Sequence, residues 1–154
     1  REPIYPEIIA NLISGPSYVS LEYALAYYGM IPERVECVTS IILGRAKLFH
    51  TPLGTFSYSS LTGEKYAIGI TRKEIAQQRY CLIASKEKAL SDLVAKQRKI
   101  ESEKHLEEYL FEDMRIDQEV FMTLRKSNLS QISKAYNKHN VRLLYNLRKD
   151  YRYE

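Results

Sequence analysis

In the first third of the chain the clearest periodic run is Leu21, Ala24, Leu25 and Tyr28, spaced i, i+3, i+4 and i+7. Ser20 stands where an N-cap is wanted, Glu22 lies in the first turn, and Gly29 stops the run. This predicts a short amphipathic helix facing a core. Beyond Ile31-Pro32, where proline favours an extended residue before it, apolar or β-branched runs occupy 35–43, 47–51, 55–61, 66–71 and 79–83. Pro52-Leu53-Gly54 and Thr62-Gly63 supply turns between them. The expectation is a mostly antiparallel sheet of four or five strands, because connections this short leave little room for parallel crossovers.

The pattern changes at Ser85, since every proline and every glycine precedes it. The rest of the chain reads as helices without internal breakers. Ser85 is placed to cap a helix with Ala89, Leu90, Leu93 and Val94 turned inward and Glu87 near its positive end, and the charged stretch 96–104 reads as its solvated extension. Further helices are expected at 105–112, 117–124, 129–136 and 141–152. Their buried faces would be Tyr109 and Leu110, then Val120, Phe121 and Leu124, then Leu129, Ile132 and Tyr136. Nothing repeats at a fixed period, which excludes a solenoid. The fold class expected is α+β in a single domain over 1–154, with a helix and sheet part at 1–84 and a bundle-like helical part at 85–154.

Composition adds that 154 residues, 45% hydrophobic, can bury a core without disulfides or a metal. Cys37 and Cys81 stand far apart inside apolar runs and read as reduced core thiols. No long uncharged apolar run suggests a transmembrane helix, so no membrane partner is expected and a cytoplasmic location is the default. The net charge of +4 is unevenly spread: +1 over 1–84, −3 over 85–121 and +6 over 122–154. Thirteen tyrosines are read chiefly as packing residues, although Tyr18, Tyr23, Tyr27 and Tyr28 around the first helix could instead form a partner surface.

Candidate chemistry is sparse. No Asp or Glu has lysine two residues on, no Asp-x-Asp pair exists, and Asp117-Gln118-Glu119 stands at a helix entrance where acids suit the dipole. The glycines form no phosphate loop, and His50, His105 and His139 form no evident triad. No catalytic residue, metal or cofactor is therefore expected. The informative polar feature is the last helix, where Arg142, Tyr145, Lys149 and Arg152 fall on one face and Leu143, Leu144, Leu147 and Tyr151 on the other. Lys134 and Lys138 precede it across the 137–140 turn, so the pair superficially resembles a helix-turn-helix. These six are the candidate nucleic-acid contacts, against the plainer reading of a solvated basic face.

Three runs carry a family resemblance. The first joins Ile9-Ala10-Asn11 to the stretch from Gly15-Pro16-Ser17 through Ser20-Leu21-Glu22 and Tyr27-Tyr28-Gly29 to Pro32-Glu33. The second is Thr51-Pro52-Leu53-Gly54-Thr55-Phe56-Ser57-Tyr58, preceded by Val38-Thr39-Ser40, and the third is Glu87-Lys88-Ala89-Leu90-Ser91-Asp92. Together they resemble the AbiEi-type antitoxins of type IV toxin–antitoxin systems, closely over about residues 4–94 and loosely beyond. The signature positions are Pro16, Ser17, Ser20, Leu21, Glu22, Tyr28, Gly29, Pro52, Gly54, Glu87 and Asp92.

The resemblance implies a bacterial abortive-infection regulator with an N-terminal winged-helix DNA reader and a C-terminal antitoxin domain. Such a protein counters a nucleotidyltransferase-like toxin, with or without a stable complex, and represses its own operon. Here only residues 1–8 precede the signature, and Arg1 is not an initiator, so the sequence is expected to be the C-terminal domain of a longer product. DNA would then be read mainly by the missing N-terminal domain. Two rivals stand beside this reading: a nucleic-acid-processing enzyme whose acidic ligands converge only in space, and a dimerisation module joining the acidic 85–121 segment to the basic tail.

Overall fold

The computed structural model describes residues 3–152. Its first half holds α1 (Pro6–Ile13), β1 (Ser17–Val19), α2 (Leu21–Tyr27), β2 (Val38–Ile42), β3 (Lys47–Thr51), β4 (Gly54–Ser60), the single turn α3 (Glu64–Ala67), β5 (Ile70–Ala76) and β6 (Arg79–Ala84). The second half is helical: α4 (Lys86–Lys96), α5 (Glu103–Glu107) continuing into a π-helical turn over Glu108–Asp113, α6 (Gln118–Met122), α7 (Lys126–Tyr136) and α8 (His139–Asp150). The class is α+β, with the strands before the main helices.

The sheet has six strands in the order β3-β4-β2-β1-β6-β5. Three neighbouring pairs are antiparallel, while β2 runs parallel to β4 over five residues and β1 parallel to β6 at Val19 and Ile83. Short connections therefore do not exclude parallel pairing. The return stroke from β2 to β4 is made by β3, which lies outside β4 and turns back through Pro52-Leu53. Thr51 holds that turn, its hydroxyl donating to the Gly54 carbonyl at 2.8 Å and accepting from Leu53 N–H at 3.1 Å.

The sheet has six strands where four or five are expected, two of its pairings are parallel, and other details differ as well. Residues 66–71 are not one strand, because α3 takes Tyr66 and Ala67 before β5 begins at Ile70. The helix α1 and the three-residue strand β1 carry too few periodic positions to announce themselves, yet they sit in the core through Ala10 and Tyr18. The charged stretch 96–104 is not an extension of α4. That helix ends at Lys96 because Asn140 of α8 takes up its terminal carbonyls, donating to Val94, Gln97 and Arg98 and accepting from Ile100 N–H at 2.9 Å. Finally, the last helix stops at Asp150, so Arg152 lies beyond it.

Helices cover the sheet on both faces. On one, Tyr58 donates its hydroxyl to the Ala10 carbonyl of α1, and Asn11 pairs its amide with Leu82 N–H at 2.7 Å and Leu82 C=O at 3.2 Å. This amide supplies a partner for β6 backbone just past the one position where β1 pairs with it. Against the other face lies α4, reached by Tyr18 and Ser59, while α2 meets α1 through the bond from Tyr23 to Glu7. The helix α4 is the centre of the molecule, packed by α2, α7, α8 and β6. Every residue from Glu87 to Ala95 is buried. Close approach at its first turn requires glycine at 69: Gly69 has φ +82°, and a Cβ there would stand 2.8 Å from the Lys88 Cβ.

Candidate functional site

A helix buried all round is normally apolar, and α4 is not: Glu87, Lys88, Ser91 and Asp92 all lie inside. The partners of Lys88 and Asp92 come from both halves of the chain, whereas the Ser91 hydroxyl has none among the described residues. Ser20 donates its hydroxyl to Asp92 Oδ2 at 2.7 Å, Tyr18 donates to the same oxygen at 2.9 Å, and Tyr136 of α7 donates to Oδ1. Lys88 Nζ stands 3.6 Å from Asp92 Oδ1 and donates to Tyr136 Oη at 2.8 Å and to the Lys65 carbonyl of α3. The ammonium also lies 4.6 Å from the centre of the Tyr136 ring. One carboxylate and one ammonium, one turn apart on a helix, are thus satisfied by hydroxyls and a carbonyl from β1, the start of α2, α3 and α7.

Burial dominates the protonation of this group. It pushes the Asp92 carboxyl above its usual range, against the pull of Lys88 and of three hydroxyl donors. It draws the Lys88 ammonium down to about 8, with Asp92 working in the opposite direction. Tyr18 and Tyr136 are raised well above their ordinary value by burial and then by the neighbouring Asp92 charge, so both hydroxyls stay protonated as donors.

Ser20 heads α2 as the spacing predicts, but its hydroxyl accepts no capping bond and donates to Asp92. Its backbone is tied to β2 instead, N–H to the Thr39 carbonyl at 3.0 Å and C=O to the Thr39 hydroxyl at 2.6 Å. The chain then enters α2 through Leu21 at φ +60°, a conformation that costs a bulky residue on the order of 1 kcal/mol or more. The expected cap at Ser85 is formed, accepting from Lys88 N–H at 3.1 Å, and Asp117 at the expected helix entrance accepts from Val120 N–H at 3.0 Å. Asp117 is thereby a helix cap, and among the described residues no three His, Cys, Asp or Glu side chains group as a metal site.

The other signature residues also hold elements together. Glu87 accepts from Arg125 N–H at 2.9 Å and faces the Asn128 amide, so it caps the start of α7, where no local side chain does. Tyr28 donates to the Ala84 carbonyl at 2.6 Å, its hydroxyl raised to about 12 by burial. Ser17 donates to Ser14 C=O at 2.7 Å, the Pro16 carbonyl accepts from Leu43 N–H at 2.9 Å, and Gly29 ends α2 at φ +72°. Of the four tyrosines around α2, Tyr18 is buried, Tyr23 and Tyr28 are half-buried, and Tyr27 is exposed.

Of the four residues expected to form a stripe on the last helix, Arg142, Tyr145 and Lys149 lie on α8 and Arg152 lies beyond its end. Arg142 and Lys149 are exposed on α8 with Tyr145 half-buried between them, and Lys149 Nζ lies 5.4 Å from the Tyr145 ring centre. Lys134 is exposed on α7. Lys138 turns back to donate to the Ala95 carbonyl at the end of α4, and Arg152 donates to the Tyr151 carbonyl beyond the helix. Arg148, which the pattern left aside, is buried and donates to the Leu124 and Met122 carbonyls at 3.1 and 2.7 Å.

Among the described residues no helix is long and apolar enough to cross a membrane. Cys81 is buried, its thiol pushed up to about 11, whereas Cys37 lies half-buried ahead of β2. The sequence matches no protein-family model, and no curated protein or solved structure matches it.

Proposed function

We propose that the chain is the antitoxin and regulatory module of an AbiEi-like type IV system, acting without catalysis of its own against a nucleotidyltransferase-like toxin. One observation carries the reading: Ser20 and Asp92, 72 positions apart and drawn from separate signature runs, meet in a buried hydrogen bond. Two residues that mark the resemblance thus join the start of α2 to α4, as expected when a shared sequence pattern reports a shared fold. Growth arrest caused by the toxin of the adjacent gene is expected to be relieved by coexpression of this chain. Continued arrest with the folded chain accumulating overturns the proposal.

In the regulatory role the exposed cations of α7 and α8 supply phosphate contacts without reading base sequence. Replacing Arg142 and Lys149 together by alanine is expected to weaken duplex binding at low salt. The slope of log K against log salt should become shallower by about 1.8, the release of two counterions. An unchanged slope would make this face a solvated surface only.

A further inference from the structure

A cavity of about 240 Å³ opens where the end of β4 meets α3, the last turn of α4 and the junction of α7 with α8. Lys65, Lys96 and Lys138 line it, together with Ser59, Ser60 and Tyr136. The three lysines come from three separate elements: α3, the final residue of α4 and the residue that precedes α8. Among the described residues none of them has a carboxylate within ion-pair distance. Lys96 donates to the Ser59 hydroxyl at 2.9 Å and Lys138 to the Ala95 carbonyl, both neutral acceptors. The Lys65 ammonium has no hydrogen bond or ion pair among the described residues, because the Lys65 group that Lys88 binds is the backbone carbonyl.

Asp92 also borders the cavity, but its charge is met from within by Lys88 and by the hydroxyls of Tyr18, Ser20 and Tyr136. Apart from that satisfied carboxylate, the charged groups of the lining are three ammonium groups, all on solvent-exposed residues. Ser59 accepts from Lys96, which leaves its own hydrogen free to donate, whereas the Ser60 hydroxyl is spent on the Gly44 carbonyl. Ammonium point charges from several directions with a hydroxyl donor suit a tetrahedral oxyanion. The volume lies below the roughly 300–1,000 Å³ of pockets that enclose drug-sized ligands, so it fits a phosphate with a small attached group.

We propose that this cavity is an oxyanion site that takes one phosphate group, either free or as the end of a small phosphomonoester. The site is separate from the antitoxin reading and does not depend on it. Its test is calorimetric titration of the chain with inorganic phosphate and, separately, with ribose 5-phosphate, in chloride buffer at constant ionic strength. Saturable binding of at least one is expected, accompanied by a rise in melting temperature over chloride alone. Lys65→Ala, which keeps the carbonyl that Lys88 uses, is expected to weaken binding at least tenfold, and Lys65→Arg to restore it to within about threefold. Lys96→Ala provides a second loss from another element.

Tighter binding of ribose 5-phosphate by tenfold or more would assign the site to phosphomonoesters, and equal affinity to the free anion. Two results overturn the proposal: no saturable binding of either compound, or binding that Lys65→Ala and Lys96→Ala leave unchanged. Because the antitoxin reading is scored by growth, failure here leaves that reading standing.

Discussion

Asp92→Ala is expected to lower the stability of the fold by about 4 kcal/mol, the cost of leaving one member of a buried ion pair alone. Lys88 is 0% exposed, and without the carboxylate its ammonium would face only the Tyr136 hydroxyl and the Lys65 carbonyl. For a domain of this size the loss corresponds to a fall of roughly 8–16 °C in melting temperature. Lys88→Met combined with Asp92→Leu is expected to be less damaging than Asp92→Ala alone, since an apolar pair leaves no charge stranded. Urea unfolding of the three proteins measures both effects. A single alanine replacement that costs under 1 kcal/mol would mean that the network does not bind the two halves of the chain.

Asn140→Ala is the second large effect, at about 3 kcal/mol. Asn140 is 2% exposed, and its amide serves three carbonyls at the end of α4 and the Ile100 N–H, so truncation strips several buried groups of partners. Asn140→Asp separates hydrogen bonding from packing. It keeps the volume and the acceptor for Ile100, but it turns a carboxylate toward the carbonyls of Val94, Gln97 and Arg98. Thermal unfolding should therefore find the aspartate variant at least as unstable as the alanine variant. If aspartate were close to wild type, the amide would not be what ends α4.

How far the sequence could be read depends on where each determinant lies. The starts of α4 and α6 were legible because Ser85 and Asp117 cap them from within three residues. The inward face of α7 was legible because Leu129, Ile132 and Tyr136 repeat at helical spacing and all are buried. The end of α4 was not, since nothing near Lys96 stops a helix and the stop is delivered by a side chain more than forty positions away. Likewise the apolar residues of α4 revealed one buried face, while burial of Lys88 and Asp92 depends on α3 and α7 closing over the other.

The candidate site was legible only in part, for the same reason. Ser20 reads locally as a helix cap, and only the arrival of α4 converts it into a donor to Asp92. Arg142 and Lys149 are exposed as their phase requires, whereas the fate of Lys138 is decided by the carbonyl of Ala95, which no periodicity reveals. Arg152 fails because helical phase cannot be extended past the last helical residue, Asp150. The lysine cavity escaped notice because its three cations lie at 65, 96 and 138.

Antitoxin activity is tested most directly by complementation at graded induction. The toxin of the adjacent gene is held at one arresting level while this chain is raised in steps, and growth rate and soluble chain are measured in the same cultures. Growth is predicted to return in proportion to the soluble chain, and Asp92→Ala to restore it only as far as its soluble level allows. Arrest that persists while soluble wild-type chain rises to excess would contradict the assignment of antitoxin activity to this domain.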